Sequence, residues 1–259
     1  VWDQKDIFLI TYADSIIDSK ESPLKSLYHF LTQFNPLINS IHILPFMPSS
    51  SDKGFSVKDY YKIDSNLGDW KDLSKISTKY NVMIDMVLNH ASKKSQWFKN
   101  FLNENGHGSD FFINVNNWDG VPQVVRPRTS DLFQTVKTRS GEREVWCTFS
   151  HDQIDLDFRN PKVLIEFINI FNFYIQKNIK IFRLDAVAYI WKEENTNCIN
   201  RPETHYLIKI LRLVLDYLNE SSVLITETNI PNKENLTYFG DRDEAHWIYN
   251  FTLAPLILF

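Results

Sequence analysis

The chain has 259 residues, of which 43% are hydrophobic and 23% charged, and its formal net charge is −4. This composition is typical of a globular domain with a substantial core, and the charge argues against nucleic-acid and membrane-surface partners. No apolar run approaches the ~18 residues of a membrane span, and the two cysteines, Cys147 and Cys198, are too few for a disulfide framework. We therefore expect a cytoplasmic protein; the composition does not indicate its oligomeric state.

Short apolar runs that are typical of buried parallel strands recur along the chain, and amphipathic helical patterns separate them. Two of the helical patterns begin after residues that favour a helix N-terminus. Asp69 precedes one of them, and Asn160 with Pro161 precedes the other. Because strands and helices alternate, the sequence predicts an α/β fold with a parallel sheet wrapped by helices. The predicted strands lie at residues 7–10, 41–44, 82–88, 179–187, 224–226 and 247–249.

The alternation is interrupted once, between the third and fourth predicted strands. This stretch contains Gly106, Gly108 and Gly141 and has no clear period, so it predicts an irregular insertion. A closed (β/α)8 barrel has eight strands, and we therefore expect an incomplete TIM barrel with about six of the eight β/α units. The predicted division is residues 1–90 for strands 1–3, residues 91–159 for an inserted domain B-like segment, and residues 160–259 for strands 4–6, with strands 7–8 not reached.

Two carboxylates stand at the ends of consecutive apolar runs. Asp185 ends the fourth predicted strand and Glu227 follows the fifth. Neighbouring strands lie about 4.8 Å apart, and retaining glycosidases hold two carboxyl groups about 5–5.5 Å apart. Arg183 precedes Asp185 by two residues, which puts both side chains on one strand face and favours an ionised Asp185. This pattern predicts double displacement at a sugar, although a structural salt bridge is the alternative role for Asp185.

Several segments resemble the α-amylase superfamily, glycoside hydrolase family 13. Residues 85–90, 182–185 and 225–227 resemble three of its four signature regions, and the fourth is absent from this chain. Other segments narrow the resemblance to the sucrose phosphorylase subfamily, and two of them are closest to its glucosylglycerate phosphorylase-like members. The subfamily segments are residues 9–14, 41–46, 126–128 and 149–157, and the two narrower ones are residues 226–231 and 243–246.

The resemblance implies a role for individual residues. Asp185 corresponds to the nucleophile and Glu227 to the general acid/base, whereas the Asp that stabilises the transition state belongs to the absent fourth signature. The implied substrate-binding residues are Asp52, Phe55, His90, Arg128, Phe149, Gln153 and Arg183, and we add Asn229, which follows Glu227 at the barrel mouth. Without the resemblance, Asp52 would be assigned to a serine-rich turn and Arg128 to the solvated surface.

The function implied is phosphorolysis of a small α-glucoside of the glucosylglycerate, glucosylglycerol or sucrose type, giving α-glucose 1-phosphate. The partners would be the sugar and inorganic phosphate as a co-substrate, with no cofactor. No metal is expected, although Asn89 matches a calcium-associated position in many amylases, because phosphorylase-like members generally lack that ion. One alternative is an α-glucosidase or amylosucrase-type transglucosidase, and another is an inactive sugar-binding fragment. We expect this chain alone to be inactive.

Overall fold

The computed structural model describes residues 3–33, 37–115, 118 and 123–258. The strands in this part of the chain are β1 (Phe8–Thr11), β2 (Ser40–Ile43), β3 (Asn81–Val87), β4 (His90–Ser92), β5 (Phe133–Thr138), β6 (Gly141–Trp146), β7 (Gln153–Asp155), β8 (Ile181–Asp185), β9 (Val223–Thr226) and β10 (Trp247–Ile248). The helices are α1 (Pro23–Gln33), α2 (Trp70–Lys79), α3 (Gln96–Asn103), α4 (Pro161–Gln176), α5 (Pro202–Leu218), α6 (Asn232–Asn235) and α7 (Leu253–Leu258). Short 3₁₀ turns lie at Asp52–Gly54, Val187–Tyr189 and Leu236–Phe239.

The main sheet has six strands in the order β1-β2-β3-β8-β9-β10, and each neighbouring pair is parallel. Every strand predicted from the sequence overlaps one of these strands, and the incomplete TIM barrel is thereby confirmed. The fourth strand is shorter than predicted because Ala186 has a φ of 48°, which breaks the extended backbone directly after Asp185.

Helices pack against the sheet and form the main core with it. All of β2 and nearly all of β3 are buried, as expected for parallel strands covered on both faces. Asp69 caps α2 by accepting hydrogen bonds from the Lys71 and Asp72 amides, and Asn160 caps α4, so both predicted helix starts are confirmed. The helices supply large buried side chains to this core, among them Leu24, Leu31, Leu73, Phe167, Phe171, Tyr174 and Leu211.

A separate apolar cluster joins residues of several strands, including the two at the edges of the sheet. It contains Met83, Ile181 and Val223, with Phe8 and Trp247 packed against them. The ring centroids of Phe8 on β1 and Trp247 on β10 are 5.9 Å apart in an edge-to-face contact. The sheet is therefore curved strongly enough for side chains of its outermost strands to touch.

The segment between β3 and α4 is more regular than the sequence predicted. It contains α3 and two small antiparallel pairs, β4 with β7 and β5 with β6. The β5–β6 hairpin was missed because its strands are mostly polar and partly exposed, which leaves little hydrophobic periodicity. Its Phe133 and Trp146 enter a small cluster with Ile113, Val115 and Cys198, whereas Val136 and Val145 pack in the main core. β7 returns to the carboxyl end of β3, and this brings the segment to the mouth of the barrel.

Candidate active site

Parallel pairing brings Asp185 and Glu227 to the same edge of the sheet. Leu184 pairs with Thr226 in the β8–β9 register. Asp185 follows Leu184 and Glu227 follows Thr226, so the two carboxylates are neighbours. Both side chains are mostly buried, with 13% of Asp185 and 21% of Glu227 exposed. They line one cavity of about 240 Å³ at the carboxyl ends of the strands, which is where barrel enzymes carry their catalytic groups.

Most of the other predicted site residues line the same cavity. Its lining consists of Asp52, Phe55, His90, Arg128, Phe149, Gln153, Asp185, Ala186 and Glu227. These residues come from the loops after β2, β3, β8 and β9 and from the segment between β3 and α4. Ala186 is the one lining residue that the sequence did not suggest. Asn229, which was predicted, is exposed and is not part of this lining.

Arg183 lies beside the cavity and contacts three carboxylates. Its Nη1 donates to Asp85 Oδ1 at 2.5 Å and to Asp185 Oδ1 at 2.8 Å, and its Nη2 lies 3.5 Å from Glu227 Oε1. Burial by itself would lower the pKa of Arg183, but the charges of the three carboxylates outweigh it and raise that pKa. The guanidinium also lies over the ring of Tyr249, 5.1 Å from its centroid. Arg183 is therefore a permanently charged centre that orients both Asp185 and Glu227.

Asp85 contacts Arg183 on the side away from the cavity. Its side chain is fully buried, and besides Arg183 it contacts His42, whose Nε2 lies 2.9 Å from Asp85 Oδ2. The structure assigns Asp85 the position behind Arg183, outside the cavity lining.

The environment of Asp185 opposes its ionisation. The pKa of Asp185 is raised to about 7, mainly by burial; the Arg183 charge lowers it, and the charges of Glu227 and Asp85 raise it. Such a displaced pKa in a cleft is typical of functional carboxyl groups.

Glu227 is held by a contact that no sequence pattern indicates. The Ala186 backbone N–H donates to Glu227 Oε2 at 2.9 Å. Ala186 can do so because its left-handed backbone, with φ 48° and ψ 31°, reverses the chain after Asp185. A non-glycine residue in this region is uncommon and costs energy, and such positions cluster at functional sites.

A polar group forms the opposite wall of the cavity. Gln153 Nε2 donates to Asp52 Oδ2 at 2.9 Å, and Ser150 Oγ donates to Gln153 Oε1 at 2.9 Å. His90 Nε2 lies 3.0 Å from the Phe55 carbonyl oxygen, and burial lowers the pKa of His90. His90 Nε2 also lies 3.0 Å from Gln153 Nε2, and the lowered pKa favours a neutral imidazole. This wall offers uncharged donors and the Asp52 carboxylate to a ligand.

Aromatic rings border the polar wall. The ring of Phe149 lies 5.3 Å from that of His90 and 5.7 Å from that of Tyr189, measured between centroids. Tyr189 belongs to the 3₁₀ turn after β8 and was not predicted. Arg128 is exposed and lines the mouth of the cavity.

A buried polar cluster anchors the segment that carries Gln153. Lys192 Nζ lies 2.5 Å from both Asp155 Oδ2 and Asn89 Oδ1, and Thr148 Oγ1 donates to Asp155 Oδ2. The Lys192 and Asp155 side chains are 1% and 0% exposed. The cluster joins the residue after β3, the loop after β8 and the end of β7. Lys192 and Asp155 were missed because lone charged residues in a sequence are usually solvated.

Among the described residues, no group of three or more His, Cys, Asp and Glu side chains is arranged to hold a metal ion. Within the same part of the chain, no helix has the length and apolar character needed to cross a membrane.

Carboxylates and an arginine at the carboxyl edge of a curved parallel sheet define a barrel-type catalytic domain. Residues 35–258 match the family described as alpha-amylase, catalytic domain. The chain therefore belongs to the α-amylase family, through its catalytic domain.

Several of the sequence relatives are phosphorylases. The chain is 46% identical to the glucosylglycerate phosphorylase of Spirochaeta thermophila, over 99% of this chain and 44% of the relative. It is 43% identical to the glucosylglycerate phosphorylase of Escherichia coli, over 99% of this chain and 46% of the relative. Identity to the sucrose phosphorylase of Bifidobacterium adolescentis is 31%, over 96% and 50% of the two chains.

A solved structure supports the same relationship. The sucrose 6F-phosphate phosphorylase from Thermoanaerobacter thermosaccharolyticum superposes with a TM-score of 0.87 at 28% identity, over 100% of this chain and 54% of that one. The chain thus spans about half the length of the relatives it matches.

Proposed function

We propose that the whole protein is a retaining α-glucosyl transferase that cleaves a small α-glucoside with phosphate. The observation that carries this proposal is the joint contact of Arg183 with Asp185 and Glu227 at the edge of one cavity. The phosphorylase relatives support the reaction type and the size of the donor. Because this chain spans about half of their length, the activity is proposed for the whole protein.

In the first half of the reaction, a carboxylate oxygen of Asp185 attacks the anomeric carbon while the glycosidic C–O bond breaks. Glu227 gives its proton to the leaving oxygen, and a glucosyl ester on Asp185 results. Arg183 favours the ionised nucleophile, and the Ala186 N–H keeps Glu227 beside it.

In the second half, a phosphate oxygen attacks the same carbon, and the ester bond to Asp185 breaks. Glu227 accepts the proton of the attacking phosphate hydroxyl and is ready for another cycle. Two inversions at one carbon retain the α configuration, so the product is α-glucose 1-phosphate.

The cavity supports a small donor. Its volume in this chain is about 240 Å³, which is on the scale of a single sugar ring. We propose that Asp52, Gln153 and His90 hold the glucosyl unit and that the Phe55 and Phe149 rings border it. Arg128, at the mouth, would meet an anionic acceptor or leaving group such as phosphate or glycerate.

We further propose that the reaction uses no cofactor and no metal ion. The Lys192 ammonium supports the absence of a metal ion. It contacts Asp155 and Asn89, and Asn89 is the residue that matches a calcium-associated position in many amylases, so a positive charge already lies there. Both cysteines are buried thiols without a disulfide, which supports a cytoplasmic location.

The test is to supply the whole protein with glucosylglycerate, glucosylglycerol, sucrose or starch, with and without phosphate. We expect phosphate-dependent release of α-glucose 1-phosphate from at least one small donor, and proton NMR should show the α anomer first. Rapid starch cleavage that ignores phosphate would favour a hydrolase, and an initial β product would rule out double displacement. Sugar binding without turnover of any donor would favour the non-catalytic alternative.

A further inference from the structure

Asp152 joins two loops that meet at the cavity, but it does not line the cavity itself. Its Oδ2 accepts hydrogen bonds from Ser50 Oγ and Ser51 Oγ, each at 2.5 Å, and Ser56 Oγ lies 2.9 Å away. Ser56 Oγ also lies 3.0 Å from the Asp152 carbonyl oxygen. Asp152 directly precedes β7, and its carboxylate thus connects both sides of the loop after β2 to the start of β7. These serine hydroxyls hold the pKa of Asp152 below its usual value, although burial opposes them.

The loop that Asp152 holds contains an unfavourable turn. Asp52, Lys53 and Gly54 follow one another with φ values of 54°, 48° and 106°. A non-glycine residue in this region is energetically unfavourable and persists only where its surroundings enforce it. Pro45 supports the turn from one side, because a Cβ on Gly54 would lie 2.6 Å from the Pro45 carbonyl oxygen. The serine contacts to Asp152 support the residues that flank the turn.

The residue next to Asp152 also contacts Asp52, the exposed first residue of the turn. Gln153, the next residue after Asp152, donates to Asp52 Oδ2 at 2.9 Å. The turn is therefore held at its flanks by Asp152 and at its carboxylate by Gln153. Without Asp152, the turn would lose the side-chain contacts at its flanks and keep the backbone hydrogen bond from the Ser50 amide to the Ser56 carbonyl and the Gln153 contact at Asp52.

We propose that Asp152 is a positioning residue which, through Ser50, Ser51 and Ser56, keeps the Asp52–Gly54 turn in the conformation that presents Asp52 to the glucosyl unit. The role of Asp52 in this statement rests on the proposed function. The holding of the turn does not depend on any ligand and can be measured separately. The competing explanation is that Asp152 only stabilises the segment between β3 and α4.

Amide hydrogen exchange on the full chain tests the holding of the turn. The Gly54 amide bonds to the Ser51 carbonyl at 3.3 Å and the Phe55 amide bonds to the Asp52 carbonyl at 3.0 Å. In Asp152→Ala, we expect both amides to exchange at least ~10-fold faster, because local opening becomes easier. Asp152→Asn keeps an acceptor oxygen and should restore part of the protection. Ser51→Ala, at an exposed position, provides a milder variant if Asp152→Ala does not fold.

Asp157→Ala is the matched control, because Asp157 lies on the same segment but pairs with Arg159 at 2.7 Å outside the cavity. Exchange at Gly54 and Phe55 should be unchanged in this variant. Equal exchange in the parent chain, Asp152→Ala and Ser51→Ala would overturn the proposal.

A double-mutant cycle on the whole protein tests whether Asp152 acts through Asp52. We expect Asp152→Ala to lower kcat/KM for the glucosyl donor at least ~10-fold in the parent protein and less than ~2-fold in an Asp52→Asn background. A purely structural role predicts the same loss in both backgrounds, and that result would reject the positioning role. If the parent protein transfers no glucose from any donor, the proposed function fails, whereas the exchange result still decides whether Asp152 holds the turn.

Discussion

The Ala186 amide donates to Glu227 Oε2 at 2.9 Å, so the residue directly after the proposed nucleophile holds the proposed acid/base. The contact depends on the left-handed backbone of Ala186, at φ 48°. The spacing of the two carboxyl groups is consequently set by the chain reversal after β8 as well as by strand pairing. This coupling gives the site a fixed geometry before any ligand arrives.

The first prediction concerns the nucleophile. Asp185→Asn in the whole protein should lower glucosyl transfer from every donor by at least ~10³-fold, since the amide cannot form the ester intermediate. The measurement is the rate of α-glucose 1-phosphate release. Asp216→Asn is a suitable control, because Asp216 pairs with Arg212 on the exposed side of α5. Transfer within about tenfold of the parent would remove Asp185 from the mechanism.

The second prediction concerns pH and stability. The pKa of Asp185 is raised to about 7 from 3.8 in the folded chain, so the folded state binds this proton more tightly than the unfolded state. The stabilising effect of the proton is complete below pH 3.8 and is lost as the pH rises through about 7. Asp185→Asn removes the buried charge and should therefore be more stable than the parent at pH 8, with a smaller difference at pH 5. Urea unfolding of both chains at the two pH values provides the test, and a difference that does not change with pH would contradict it.

The third prediction concerns the buried cluster. Lys192→Met should lower the free energy of unfolding by about 3–5 kcal/mol, because the buried Asp155 side chain would lose its ion-pair partner. Lys162→Met is the control, since Lys162 and Asp110 form an exposed pair with side chains 67% and 47% accessible. Such a pair contributes at most ~1 kcal/mol. Chemical denaturation compares the variants, and equal losses would show that Lys192 is not a structural anchor.

The fourth prediction concerns the mouth of the cavity. Arg128→Ala should slow phosphorolysis of glucosylglycerate by roughly tenfold or more, because a charged hydrogen bond to the carboxylate or phosphate is lost. Hydrolysis of an activated aryl glucoside should change less, because neither anion takes part. Arg126→Ala, two residues earlier and also exposed, is the matched control. Equal slowing of both reactions would argue against anion recognition by Arg128.

The sheet could be predicted because its strands are continuous apolar runs, and the main site residues follow from it. Asp185, Glu227 and His90 come at or just after strand ends, and parallel strands bring such positions together. Asn229 lies only two residues beyond Glu227, yet the chain there points it to solvent, and no local pattern indicates this. The Ala186 contact and the Lys192–Asp155 pair escaped prediction because each depends on tertiary contacts between distant segments.

The contact between Phe8 and Trp247 also bears on how the chain folds. It joins residues close to opposite ends of the sequence, so it closes a loop that contains nearly every other element. The entropy lost on closing a loop increases with its length, and long-range pairing is correspondingly slow. During synthesis, at about 5–20 residues per second, β1 must wait until β10 has left the ribosome before this cluster can form. The contact between β1 and β10 therefore forms only after β1, β2 and β3 have had time to pair.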